Sequence, residues 1–239
     1  MAEAPTASLL PGTFNARDLG GLAAGERRVR AGALIRSDAP VALGEPGREA
    51  LAALGVATAV DLREAVERDA APPDFGALDI ITLPRPLLQN LAVDPEAGLD
   101  QLYTSLLDGR GPAFAEAVAA VADAASKPVL LFCSAGKDRT GLLTALLLAL
   151  LGVEDDDIVA DYHRTETNLQ GAFRERIQAT ALASGLSEQQ VAVNLGAPAE
   201  LMAEVLVRLR EQGGAEAYLR RHGLPAEAIE QLRAQLLEP

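Results

Sequence analysis

The chain has 239 residues, a formal net charge of −13, 49% hydrophobic residues and 23% charged ones. That balance excludes a disordered polymer, and the acidic excess excludes general binding to nucleic acid or to anionic membrane surfaces, which need clustered basic side chains. An anionic substrate must therefore be drawn in by a local positive site against the global field.

Short apolar runs bounded by breaker residues predict strands at Gly32–Arg36, Ala57–Leu62, Ile80–Leu83 and Val129–Phe132. Helical patterns fall at Gly47–Leu54, Leu99–Leu107, Pro112–Ala125, Arg139–Leu151 and Asp155 to about Ala183. Further helices are expected from about Pro198 to Gln212, Gly214 to His222 and Pro225 to Leu237. The patches Pro40–Gly47, Ala71–Gly76 and Pro84–Pro86 read as loops within one domain. Strands alternate with helices up to residue 151, an α/β pattern with a small, largely parallel central sheet flanked by helices. The expectation is one domain over residues 1–239, with residues 153–239 as its helical C-terminal portion. The apolar run Gly141–Val153 is too short for a bilayer, which needs about 20 residues, so no integral membrane segment is expected. Residues Met1–Leu10 lack a signal peptide's basic start and apolar centre. The single cysteine forbids an intrachain disulfide. A cytoplasmic location is the default expectation, with non-classical secretion open, and the sequence leaves the oligomeric state undefined.

The informative stretch is Val129-Leu-Leu-Phe-Cys133-Ser-Ala-Gly-Lys-Asp-Arg139-Thr-Gly141, which reads as strand, loop, helix. Backbone N–H groups from Ser134 through Ala135, Gly136, Lys137 and Asp138 to Arg139 can converge on an anion at the helix N-terminus. Gly136 permits the positive φ such a loop needs. Arg139 can fork two donors onto two phosphate oxygens. The same field favours a thiolate at Cys133, since comparable settings lower a thiol pKa to about 3.5–7.5. A thiolate at the bottom of a phosphate cradle is an in-line nucleophile for a phosphate ester. Thr140 can donate a hydrogen bond to the sulfur, Asp138 can protonate the leaving oxygen, and Lys137 adds a second positive charge. Lys137 and Arg139 also sit where a helix dipole disfavours cations, so the sequence demands a compensating anion there.

This string resembles the phosphate-binding loop of the bacterial tyrosine phosphatases of the Cys-x5-Arg superfamily, in the branch that holds secreted mycobacterial and lipid-acting Listeria phosphatases. Other segments agree: Asn15-Ala-Arg17-Asp18-Leu-Gly-Gly21, Leu34-Ile-Arg36-Ser37-Asp38, Asp61-Leu-Arg63 and Tyr218-Leu-Arg-Arg-His-Gly-Leu224 resemble further signatures of the family. The likeness spans about residues 10–237. It implies a tyrosine phosphatase-like fold and activity on phosphotyrosine, with phosphoserine, phosphothreonine and phosphoinositides as further candidate substrates. Lys137 is the feature associated with inositol lipids. The resemblance implies no metal and no organic cofactor, and a lid formed within residues 153–213. One departure is Phe132, where the family usually has histidine before the cysteine. Its alternative consequence is a catalytically weak pseudophosphatase that binds phosphorylated partners.

The general acid has three candidates: Asp138 in the loop, favoured by the resemblance, and Asp94 or Asp100 upstream. Arg17 and Asp18 read as structural. Asp61, Arg63, Arg36 and Asp38 fall at predicted strand ends, where open α/β sheets bind ligands. His163 reads as an exposed helical residue, and His222 as a residue near a helix end.

Overall fold

The four strands anticipated from apolar runs form the body of a five-stranded sheet. They are β4 (Leu34–Ser37), β5 (Thr58–Asp61), β6 (Ile81–Pro84) and β7 (Val129–Phe132), joined at one edge by the two-residue β1 (Arg17–Asp18). The spatial order is β1-β4-β7-β5-β6. The pairs β4–β7, β7–β5 and β5–β6 are parallel, and only β1–β4 is antiparallel. The computed structural model describes residues 8–89, 91, 98–171, 173–175 and 196–239.

A second, antiparallel sheet joins β2 (Ala23–Ala24), β3 (Arg27–Val29) and β8 (Leu237–Glu238). Its strands and β1 are two or three residues long, too short to show an alternation, and no sequence pattern announced them. The predicted helices appear within a few residues of their expected bounds: α1 (Gly44–Ala53), α3 (Leu99–Gly109), α4 (Gly111–Ala124) and α5 (Asp138–Leu151). A helix between α1 and α3 was not anticipated: α2 (Ala65–Ala70), six residues with no apolar face. The long helix expected from Asp155 is α6 (Asp155–Asn168), broken after Asn168; most of the rest of its predicted length, from residue 176, lies outside the described residues. The C-terminal helices are α7 (Ala199–Glu211), α8 (Gly214–Arg221) and α9 (Ala226–Leu236).

Strand alternation divides the core. In β7, Leu130 and Phe132 join a smaller cluster with Ile35, Ala59, Phe75 and the α1 residue Leu51. Val129 and Leu131 face the larger cluster, and Cys133 continues that alternation past the strand end. The larger cluster is built on α5, which is buried nearly all round as its sequence predicts, and packs against β4, α4, α6, α8 and α9. Each fully buried leucine there contributes about 1.5–3 kcal/mol. This apolar rod fixes the N-terminus of α5 against the carboxyl edge of the sheet.

Candidate active site

The parallel registers set Ser37, Phe132 and Asp61 side by side. The segments that leave β4, β7 and β5 are therefore neighbours at the carboxyl edge, where parallel α/β sheets place their ligand crevice. The central one is the loop Cys133–Lys137 leading into α5.

Three residues far apart in sequence take hold of that loop's carbonyls. Ser134 O accepts from Ala39 N (3.2 Å). Ala135 O and Gly136 O both accept from Asn15 Nδ2 (3.1 Å each), and Gly136 O also accepts from an Arg36 terminal nitrogen (2.7 Å). In a trans peptide the next N–H points opposite to the carbonyl. Anchoring these three carbonyls outward thus turns the N–H groups of Ala135, Gly136 and Lys137 toward the other side of the loop. Gly136 has φ +65°, and a Cβ there would lie 2.4 Å from Ser37 O, so both the turn and the close packing require glycine.

The anchors are themselves locked. Asp38, buried, accepts the N–H groups of Phe14 and Asn15 (2.9 and 2.8 Å). Arg17 and Arg36 share the buried carboxylate of Asp161 on α6, each at 2.6 Å. Arg17 also donates to Asp161 O and to Thr165 Oγ1. Burial and the neighbouring Arg36 pull the Arg17 guanidinium down to about 10, still charged at neutral pH. Arg17, expected to be structural, is held in a buried ion pair with Asp161, whereas Arg36 is tied directly to the loop.

Arg139 meets the anion its position demands in Glu67, at the third position of α2. The terminal nitrogens of Arg139 donate to both carboxylate oxygens, at 2.6 and 2.8 Å. Ser134 Oγ donates to the same carboxylate, and Arg139 also reaches Ser134 Oγ at 3.2 Å. Burial alone would raise the Glu67 pKa, but the hydrogen bonds and charge of Arg139 outweigh it and hold the carboxyl down at about 2. Conversely, burial would lower the Arg139 pKa, and Glu67 together with Cys133 raises it. Glu67 also caps α2 through the Glu64 N–H (2.9 Å), a reciprocal capping box. It is a residue the sequence reading missed. With its terminal nitrogens on Glu67, and also reaching Ser134 Oγ and Leu62 O, the guanidinium has, among the described residues, its Nε–H left for a ligand. Glu67→Gln is expected to lower kcat/KM by about 10- to 100-fold, because a loosened fork misplaces the phosphate. Phosphate inhibition constants check the cause: tighter phosphate binding in Glu67→Gln would show that Glu67 competes with the ligand instead of orienting Arg139.

Asp138 opens α5 with its side chain partly exposed. Its Oδ1 accepts from the Tyr103 hydroxyl (2.9 Å) and lies 3.3 Å from Lys137 Nζ. Lys137 is 1% exposed and donates to Gly196 O at 3.0 Å, so its ammonium is held inside the protein. Among the described residues the buried Thr140 Oγ1 has no hydrogen-bond partner, and the expected bond to the sulfur is not formed in this structure. Cys133 is 2% exposed. Phe132 lies on the opposite face of the sheet, its ring 5.1 Å from the Arg63 guanidinium. Arg63 is otherwise bound to Asp61 and Ala71 O, so it does not face the loop as a free cation. Asp100 lies in the first turn of α3 and lines a cavity of about 230 Å³ between α3 and α7. Asp94 lies outside the described residues. His163 is exposed at 53% and bonds Ala197 O.

The profile of the tyrosine phosphatase family matches residues 9–238. A tyrosine-protein phosphatase of Nostoc commune is 30% identical over 221 residues, covering 87% of this chain and 75% of that protein. The triple specificity protein phosphatase PtpB of Mycobacterium tuberculosis is 29% identical over 274 aligned positions, covering 95% of this chain and 98% of that protein. The chain belongs to the tyrosine phosphatase family. With Cys133 as its one cysteine, it is a cysteine-dependent phosphatase. Among the described residues no helix is long and apolar enough to cross a membrane.

Proposed function

We propose that the protein hydrolyses phosphate monoesters, phosphotyrosine foremost, through a phosphocysteine on Cys133. The observation that carries this reading is the outward anchoring of three consecutive loop carbonyls beside an arginine fork. In this reading the inward-turned N–H groups and Arg139 together hold the phosphate over the Cys133 sulfur. In the first step the Cys133 thiolate attacks phosphorus and the bond to the phenolic oxygen breaks. Asp138 supplies that oxygen's proton. The loop N–H groups and Arg139 hold the three equatorial oxygens and stabilise their charge. In the second step water attacks phosphorus, its proton passes to Asp138, and the sulfur leaves as thiolate. Thr140, its buried hydroxyl without a partner among the described residues, can turn to the departing sulfur.

Two features support phosphotyrosine over the other esters. Cys133 is buried at 2% exposure, which favours a phosphate carried at the end of a long, flat phenyl ring over one on the short methylene of serine. Lys137, the residue that would favour an inositol lipid, has its ammonium engaged with Gly196 O and Asp138. Phe132 supports the pseudophosphatase alternative only weakly, because its ring lies on the far face of the sheet from the sulfur. Rapid-quench labelling with a phosphate-labelled aryl phosphate tests the reading. Label retained on the wild-type protein at Cys133, with release ranked phosphotyrosine peptide above phosphoserine peptide and phosphoinositide, is the expected result. Phosphate binding without label transfer would sink it in favour of a phospho-binding module.

A further inference from the structure

Two buried tyrosines that no part of the proposed mechanism uses meet behind Asp138. Tyr103 comes from α3 and Tyr162 from α6. Both are 1% exposed, their rings are edge to face at 6.2 Å and 78°, and their hydroxyls are 2.7 Å apart. Tyr103 donates its single hydroxyl proton to Asp138 Oδ1. In the Tyr–Tyr bond the donor must therefore be Tyr162, since a phenol has one proton to give. The chain of donation runs Tyr162 to Tyr103 to Asp138.

The consequence lies in the two oxygens of one carboxyl group. Among the described residues, both side-chain partners of Asp138, the Tyr103 hydroxyl and the Lys137 ammonium, fall on Oδ1. An oxygen that already receives an O–H and faces a cation is a poor place for a further proton. The proton of a neutral Asp138 belongs on Oδ2. Burial, then the charge of Asp138, pushes both tyrosines up, so they stay protonated donors.

A second observation ties this pair to the loop. A Cβ at Gly141 would lie 3.0 Å from the Tyr162 ring, a contact tighter than ordinary packing. The glycine that ends the loop string is thus the position at which α5 makes room for Tyr162.

We propose that Tyr103 and Tyr162 are positioning residues that direct the acidic proton of Asp138 onto Oδ2, the oxygen turned to the leaving group. The proposal rests on the reading of Asp138 as the general acid. It assigns no contact between either tyrosine and the substrate.

The test is the dependence of kcat/KM on leaving-group basicity, across aryl phosphates from activated nitrophenols to phenols as basic as tyrosine, near pKa 10. A working general acid flattens that dependence, because poor leaving groups depart protonated. Asp138→Asn is the reference and should steepen it. Tyr103→Phe keeps the ring and removes the donor. It is expected to steepen the dependence likewise, losing about 10- to 100-fold on the tyrosine-like phenol and little on the nitrophenol. Tyr162→Phe and Gly141→Ala, which act one contact further away, should give the same pattern with smaller losses. Equal loss on every leaving group in Tyr103→Phe, or no loss, while Asp138→Asn still steepens, overturns the relay and leaves the tyrosines as packing. An unchanged dependence in Asp138→Asn removes Asp138 as the acid, and the relay falls with it for that separate reason.

Discussion

Cys133→Ser is expected to lower phosphate release by about 10⁴-fold or more while leaving inorganic phosphate binding essentially unchanged. The two halves of that result come from different parts of the site. A serine hydroxyl is not ionised at any pH the fold tolerates, so the attacking group is lost. The groups proposed to hold the anion are elsewhere: the Ala135, Gly136 and Lys137 amides are turned by carbonyl anchors on Asn15, Arg36 and Ala39, and Arg139 is steadied by Glu67. None of those bonds involves the sulfur, so the loop should survive the exchange. Turnover by steady-state kinetics and phosphate binding by calorimetry, on the same preparation, read the two halves apart. Retained turnover would place the nucleophile on another residue. Loss of both turnover and phosphate binding would mean that the sulfur, and not the loop, is what holds the phosphate.

The parts of this site that are local in sequence were legible, and those assembled over long distances were not. Strand β7, the loop and α5 are consecutive, and their apolar run, glycine and arginine spacing carry both fold and chemistry. The awkward cations at the start of α5 even announced that an anion must stand nearby. Which anion could not be read. Glu67 lies 72 positions upstream of Arg139, on a six-residue helix with no apolar period, capped by glutamate where serine or threonine is the usual signal. Nothing in the sequence sets Tyr103 and Tyr162 apart from other aromatic residues of helices; only the hydroxyl of Tyr103 on Asp138, with that of Tyr162 on Tyr103, gives them another meaning. Asn15, Arg17 and Arg36 were marked by family likeness, yet nothing in composition says that one side chain will bridge two loop carbonyls. Asp161 had no signal at all. It is one acidic residue in an acidic helix, and its partners are 125 and 144 positions away.

Asp161→Asn is the substitution expected to cost most in stability. Asp161 is 6% exposed and faces two buried guanidinium groups, Arg17 through Oδ1 and Arg36 through Oδ2. Asparagine keeps the shape but removes the charge, and its amide N–H₂ must point at one of two donors. Both arginines then lack a counter-charge in a site that excludes water. Breaking a buried pair in this way costs about 3–5 kcal/mol. For a chain of this size each kcal/mol lowers Tm by about 2–4 °C, so a fall of about 6–20 °C is expected in calorimetry. Activity should fall further than the unfolded fraction explains, because Arg36 is also what holds Gly136 O outward.

The same carboxylate sets an acid limit on the fold. Burial would raise its pKa, but Arg17 and Arg36 outweigh it and hold the group down at about 2. A depressed carboxyl stabilises the folded state fully above its unfolded pKa, near 3.9, and loses that contribution as pH falls toward the folded value. The amount at stake is about 2 kcal/mol, lost between about pH 4 and pH 2. The Asp161→Asn variant has no such carboxylate to protonate, so its stability curve should be flatter through that window than the wild type's. Denaturant midpoints taken from neutral pH down to the acid limb measure both effects at once. A variant within about 1 kcal/mol of wild type at neutral pH, or one with the wild-type acid slope, would mean that Arg17 and Arg36 find other partners and that Asp161 does not hold the loop's anchors together.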